Sequence, residues 1–136
     1  MTHQKGSSLI EVLVAVVVIS IGILSVASLQ TMALKSNNGS YLRSQATFLA
    51  YDLADRMRAA PDASAAGAYD DGQGGDRAEW DTRVVAELGS GAIGSVVRNN
   101  RQATINVQWN DNRARIRAGN DADQTSLTTF SYPVEF

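Results

Sequence analysis

From Val12 to Leu34 the chain runs 23 residues without a charge, VLVAVVVISIGILSVASLQTMAL. At about 1.5 Å per residue, a helix of this length spans a hydrocarbon core roughly 30 Å thick. A membrane-crossing helix is therefore the first demand that any fold of this chain must meet. A cleaved secretory signal has a shorter apolar region ending in small residues, and this run is too long for one. Only Met1 to Ile10 precede a lone carboxylate, Glu11, which sits among Leu9, Ile10, Val12, Leu13 and Val14. Burying it in lipid costs about 3 kcal/mol even on lenient insertion scales. Either Glu11 lies at the membrane edge and reaches water, or a cation from another molecule neutralises it. The nearest basic side chains of its own chain are Lys5 and Lys35, outside the apolar helix.

What remains is small. The whole chain has 136 residues, which suits one domain and leaves little room for a separate catalytic one. Its formal charge of −2 argues against a surface built throughout for nucleic acid. There is no cysteine, hence no disulfide and no thiolate metal site. From Ser36 onward ten basic residues face thirteen acidic ones.

The segment Lys5-Gly6-Ser7-Ser8-Leu9-Ile10-Glu11-Val12-Leu13-Val14-Ala15 resembles the class III signal of type IV pilins and type II secretion pseudopilins. Those proteins carry a short basic leader ending in glycine, then an apolar helix with glutamate at its fifth position. The resemblance implies a leader of residues 1–6, removed on the cytoplasmic side by a prepilin peptidase that cuts between Gly6 and Ser7 and methylates the new amine of Ser7. It also implies that Glu11 neutralises the N-terminal amine of a neighbouring subunit, the cation that the residues alone do not supply. The family usually places phenylalanine first after the cut, where this chain has Ser7. Charge bias leaves the orientation open, since Lys35 and Arg43 balance Lys5 and the amine. The resemblance sets it: inner membrane, single pass, head in the periplasm, then the pilus surface.

Beyond the apolar run, Leu42, Ala46, Leu49, Leu53 and Met57 recur at the spacing of one helix face. Asp52 with Arg56 and Asp55 with Arg58 have the spacing of ion pairs on a solvated face. Pro61 ends a helix of roughly fifty residues that begins at Ser7. No proline interrupts its apolar half, and Gly22 is its only weak point. Tyr41-Leu42-Arg43-Ser44-Gln45-Ala46-Thr47 and Ala50-Tyr51-Asp52-Leu53-Ala54-Asp55-Arg56-Met57-Arg58-Ala59 resemble the PilV family of minor pilins, the type IV pilus modification proteins. A weaker likeness continues through Trp80 and Ile105-Asn106-Val107-Gln108-Trp109.

The head, residues 36–136, starts with an amphipathic helix over 36–60. A glycine-rich segment over 61–76 follows and reads as a mobile loop. Next comes a short helix over 77–88, capped by Asp76 with Glu79 and stopped by Gly89, with Trp80, Val84 and Leu88 on one face. An antiparallel sheet is expected over 102–136. Ala103, Ile105, Val107 and Trp109 alternate with polar residues, Asn110-Asp111-Asn112 turns, and Ala114, Ile116 and Ala118 oppose Arg113, Arg115 and Arg117. Phe130, Tyr132, Val134 and Phe136 form a last strand, with Pro133 favouring an edge. The expected class is α+β and type IV pilin-like: a long N-terminal helix, transmembrane then amphipathic, packed on a small C-terminal antiparallel sheet.

No catalytic constellation emerges. The only histidine, His3, lies in the leader, and no phosphate-binding glycine loop occurs. The chain reads as a non-enzyme without a cofactor. Asp70, Asp71 and Asp76 offer oxygen ligands among glycines, and Asn120, Asp121 and Asp123 a second acidic loop, but the EF-hand pattern is unmet and a polar loop is favoured over a calcium site. Arg113, Arg115 and Arg117, with Arg98 and Arg101, suggest a row for phosphate, yet a charged sheet face or a contact with a neighbouring subunit is favoured over nucleic acid. The function implied is a minor pilin that helps to start the pilus or form its tip, and so serves adhesion or twitching motility. Its partners would be the prepilin peptidase, other minor pilins, the major pilin, the inner-membrane assembly platform and a tip adhesin. A minor pseudopilin of type II secretion and a membrane-anchored periplasmic binding module are the alternatives.

Overall fold

A computed structural model describes residues 7–112 and 127–136. It has an α+β, type IV pilin-like architecture. Helix α1 (Ser7–Ala59) comes first, then α2 (Pro61–Ala65) and α3 (Asp76–Leu88), and three strands follow: β1 (Ile93–Asn99), β2 (Gln102–Asn110) and β3 (Leu127–Glu135). By internal packing the chain divides into Met1–Lys35 and Ser36–Phe136.

In the first unit, the sixteen large apolar side chains from Leu9 to Leu34 are all exposed. Three of its hydroxyls turn inward on the helix. Ser20, Ser25 and Thr31 donate to the carbonyls of Val16, Ile21 and Ala27, four residues back, at 2.7–3.0 Å. These three polar groups are thereby satisfied within the helix, which lowers the cost of a surface that meets lipid.

In the second unit, one face of α1 (Leu42, Ala46, Leu49, Ala50, Leu53, Ala54, Met57), one face of α3 (Trp80, Val84, Leu88) and the inner face of the sheet (Val96, Ala103, Ile105, Val107, Trp109, Val134) form a single core. Trp80 ties these layers together: its indole Nε1 donates to the Leu49 carbonyl at 2.8 Å. Pro61 stands at the first position of α2, where its missing N–H costs nothing.

The sheet has the order β1-β2-β3 with both pairs antiparallel. Ile105 lies between Val96 and Tyr132, and Thr104 between Val97 and Pro133. Pro133 thus sits on a strand at the end of the sheet order. The sheet begins at Ile93, so the expected start at 102 is corrected. Strand β1 lacks the apolar alternation of β2 because its inward positions include Gly94 and Arg98 beside Val96. Gly94 is required there, since a Cβ at this position would collide with the Trp80 ring. Asn100, at φ 56°, turns β1 into β2, a conformation that asparagine tolerates. Asn110 accepts a hydrogen bond from the Asn112 N–H at 2.9 Å, the turn expected there. Both edges of β2 are taken by β1 and β3. The partner strand expected over 113–118 lies outside the described residues.

Two further expectations are corrected. The segment 61–76 is not an open loop: it starts with α2, Ser64 and Tyr69 are buried, and the Ser64 hydroxyl donates to the Met57 carbonyl at 2.9 Å. Asp76 does not cap α3 either. Gly75 holds the cap position with no side-chain hydrogen bond, and Asp76 is the first helical residue. Gly94→Ala is expected to lower head stability by about 1–3 kcal/mol through overpacking against Trp80. Denaturant unfolding of the variant and the wild type measures the difference.

Candidate functional site

The candidate site at the N-terminus is defined by one charge. Ser7 is the first residue of α1, and Glu11 is exposed on that helix, the only charged residue between Ser7 and Lys35. No ion pair engages Glu11 among the described residues. Gly6 and His3 lie outside the described residues. Beyond Glu11 the surface is uncharged as far as Lys35 and mostly apolar, and Gly22, where a Cβ would meet nothing within 4 Å, leaves it without a side chain at one point, the notch. The notch opens into a groove of about 370 Å³ lined by Ile19, Gly22, Ile23, Val26, Ala27 and Gln30. This surface can do two things chemically: dissolve in hydrocarbon, and bring one carboxylate to a cation.

The head is organised by arginine–carboxylate pairs. Arg77 is 1% exposed, a position that a guanidinium holds only when fully partnered. It pairs with Asp71 at 3.0 Å and with Asp81, donates from Nε to the Tyr69 carbonyl at 3.1 Å and from Nη2 to the Gly94 carbonyl at 3.1 Å, and lies 4.8 Å from the centre of the Trp80 ring. Asp71 in turn accepts the Val96 N–H at 2.8 Å. Together Asp71 and Arg77 engage one backbone N–H and one carbonyl of β1, groups that an edge strand would otherwise offer to another chain. On α1, Arg56 reaches Asp52 at 3.2 Å, Glu79 at 3.7 Å and Asp76 at 4.0 Å, and Asp52 also receives Arg83 at 2.9 Å. The pairs Asp52–Arg56 and Asp55–Arg58 both form. The first of them fastens α1 to α3 and is not merely a solvated face.

The three carboxylates weighed for calcium each face an arginine. Asp70 accepts Arg98 at both oxygens, at 2.9 and 2.8 Å, Asp71 belongs to Arg77, and Asp76 lies beside Arg56 and accepts the Tyr69 hydroxyl at 3.4 Å. Among the described residues no three such side chains gather around one point suited to a metal. Asn120, Asp121 and Asp123 lie outside the described residues, as do Arg113, Arg115 and Arg117. Arg98 and Arg101 do not join a phosphate-binding row: Arg98 is committed to Asp70 and to the Ala65 carbonyl, and Arg101 to Asp62 at 3.1 Å. Gly67, at φ 92°, leaves the space that the Asp70–Arg98 pair fills.

Arg77 is the residue that sequence reasoning missed. It lies three positions before Trp80 and four before Asp81 on α3, a spacing that permits both contacts but does not announce burial. Asp111 was likewise read only as a turn residue. It is buried, with one oxygen 3.8 Å from Arg43 and the other, like Trp109 Nε1, without a hydrogen-bond partner.

Residues 1–27 match the family profile of the prokaryotic N-terminal methylation motif, 27 of 136 residues. The motif supports a pilin-type protein, processed by a prepilin peptidase, anchored in a membrane and structural in role. No curated protein and no solved structure is a significant match to the chain.

The Arg98 hydrogen bonds hold the Asp70 carboxyl below the usual carboxylate range, against a smaller opposing effect of burial. A depressed folded-state value means that this stabilisation is present above the unfolded value of about 3.9 and is lost as pH falls through the folded value. Asp70→Asn is therefore expected to cost about 1 kcal/mol at neutral pH and to flatten the acid limb of the stability curve. Thermal unfolding of the two proteins between neutral pH and pH 3 measures both effects.

Proposed function

We propose that this chain is a PilV-like minor pilin, held in the inner membrane with a periplasmic head, cut between Gly6 and Ser7, and incorporated with other pilins into a type IV pilus. The observation that carries this reading is the conjunction of the N-terminal methylation motif with Glu11, an exposed carboxylate with no ion pair among the described residues and the only charge on α1 before Lys35. Removing the leader creates an amine at Ser7, four residues or about 6 Å of helix rise from Glu11, so it would meet the Glu11 of an adjacent subunit only when the two subunits are shifted along the helix axis by about that rise. In a filament core the amine of an incoming chain and the Glu11 carboxylate of its neighbour neutralise each other. Each group alone is costly in an apolar medium, and each is paired only when the subunits stand in register. The pairing therefore acts as a selector for axial position as well as an attraction.

The head supports the same reading by what it holds rigid. Its described arginines are all consumed in internal pairs, so α1, α3 and the sheet present a fixed surface to neighbouring subunits. In this reading the head docks to other minor pilins to start the pilus or to form its tip, and adhesion or twitching follows from the filament. The PilV-like words at Tyr41–Thr47 and Ala50–Ala59 favour a pilus over a type II secretion pseudopilus.

Two measurements on one strain test the proposal. Mass spectrometry of the membrane-extracted chain is expected to find Ser7 as the first residue and one added methyl group; a chain beginning at Met1 or Thr2 contradicts the reading. Glu11→Gln is expected to leave that cleavage intact and to lower the amount of chain in sheared pili by tenfold or more, equivalent to a lost interaction of about 1.4 kcal/mol or above. Wild-type incorporation of Glu11→Gln excludes the pairing, and recovery of the chain with the secretion apparatus instead of pili excludes the pilus.

A further inference from the structure

Strand β1 stands at one end of the sheet order, so β2 takes only one of its edges. An uncovered edge is a row of N–H and C=O groups on which another strand can build. Among the described residues no strand lies on the other side of β1, yet that edge is occupied. The Val96 N–H donates to Asp71 at 2.8 Å, Arg77 donates to the Gly94 carbonyl at 3.1 Å, and Asp71 and Arg77 pair with each other at 3.0 Å. A carbonyl and the N–H two residues on are the groups that one residue of a parallel strand engages with its own N–H and C=O. The Asp71–Arg77 pair fills the place of one such residue. The same stretch of chain is fastened along β1 again by Arg98, which donates to both Asp70 oxygens at 2.9 and 2.8 Å and to the Ala65 carbonyl at 2.9 Å. Each of these ties runs through a side chain, so residues 65–71 cover the edge without adding a strand to the sheet.

We infer that residues 65–71 and Arg77 form a surrogate strand, and that the partner they exclude is β1 of a second copy of this chain. The covered edge is self-complementary. Val96 directs its N–H away from β2, and in a strand its C=O points the same way, so two antiparallel copies centre on a Val96–Val96 pair that exchanges both hydrogen bonds. That register sets Gly94 of one copy opposite Arg98 of the other, and no arginine faces an arginine. On the outer face it sets Ser95 opposite Val97, both uncharged, and covers Val97, which is 65% exposed in the single chain. The other end of the sheet is a poorer partner. Phe136 donates its N–H to the Arg101 carbonyl at 3.0 Å, which turns the even-numbered residues of β3 toward β2 and Pro133 toward the outer edge, where it has no donor to offer. Pairing through β1 is two-fold, joins the two three-stranded sheets and closes at two copies. Asp71 holds the one N–H at the centre of that pairing, so a head with its cover in place cannot form it. The cover is an autoinhibitory contact: it keeps copies of the head from joining by their sheets and leaves the other surfaces open.

The inference concerns the sheet of the head alone and does not depend on the pilin reading. The chain has no cysteine, so introduced cysteines report on this pairing only. Two differently tagged full-length chains, one with Ser95→Cys and one with Val97→Cys, are produced together in membranes and mildly oxidised. In the Val96-centred register these positions are about 4.5 Å apart between Cα atoms, within reach of a disulfide. The mixed disulfide is expected to be scarce while the cover is intact. It is expected to rise by about tenfold or more, the scale of a lost hydrogen-bond acceptor, when both chains also carry Asp70→Ala and Asp71→Ala. With Asp70→Asn and Asp71→Asn, whose amide oxygens still accept, it is expected to stay near its starting level. No rise in the alanine chains, an equal rise in the asparagine chains, or abundant mixed disulfide with the cover intact overturns the inference. A second measurement uses the wild-type chain in detergent micelles: the Val96 N–H is expected to exchange with solvent within about a hundredfold of the rate of the Val97 N–H, which faces β2. Faster exchange at Val96 marks an uncovered edge and overturns the inference. If the alanine chains unfold, this measurement decides alone.

Discussion

The whole chain is governed by the apolar surface of its first helix. Sixteen exposed large apolar side chains, each worth about 1.5–3 kcal/mol on transfer from water, amount to tens of kcal/mol, whereas a small domain is stable by only about 5–15. No arrangement of the head offsets that in water. The segment needs hydrocarbon or other apolar helices around it, and Ser20, Ser25 and Thr31, bonded back onto their own helix, lower the polar cost of that burial. Glu11, near the start of the helix, is the one charge in it before Lys35.

The head meets a different demand. A domain this small has a limited core, and Trp80 and Arg77 extend it by joining layers. Trp80 reaches α1 through Leu49 and fills the space that Gly94 leaves on β1. Arg77 lies beside the same indole and binds the loop, the helix and the strand together. A buried guanidinium is costly, and its cost is met by the number of its partners, not by any single one. The result is a body whose layers are joined by side chains, which also engage part of one sheet edge.

Much of this was legible in the sequence because it rests on periodicity. The apolar face from Leu42 to Met57 and the stripe of α3 follow the helical repeat of about 3.6, β2 and β3 alternate with a period of two, and the uncharged run is marked by its length alone. What was hidden follows none. Strand β1 turns a half-buried glycine and a half-buried arginine inward beside a single buried valine, so no apolar alternation marks it. The segment 61–76 looks empty of core because its order comes from ion pairs with Arg98 and Arg77, which lie up to 28 residues away. Aspartates among glycines suggest a metal site from composition alone, and only the three-dimensional positions of the arginines show where their charge is spent. Glu11 was legible as an anomaly, but no described residue pairs with it, and the partner proposed for it comes from the resemblance alone.

The absence of cysteine from the chain opens the most direct measurement of the claim that the apolar surface is covered in the cell. Single cysteines at Val18, Ile23, Val26 and Ser44 are reacted with a membrane-impermeant maleimide while the protein stands in its native membrane. The first three are predicted to remain unlabelled until detergent is added, and the one at Ser44 to react at once. Labelling at Val18, Ile23 and Val26 as fast as at Ser44 would show that water reaches the helix, and would contradict the claim.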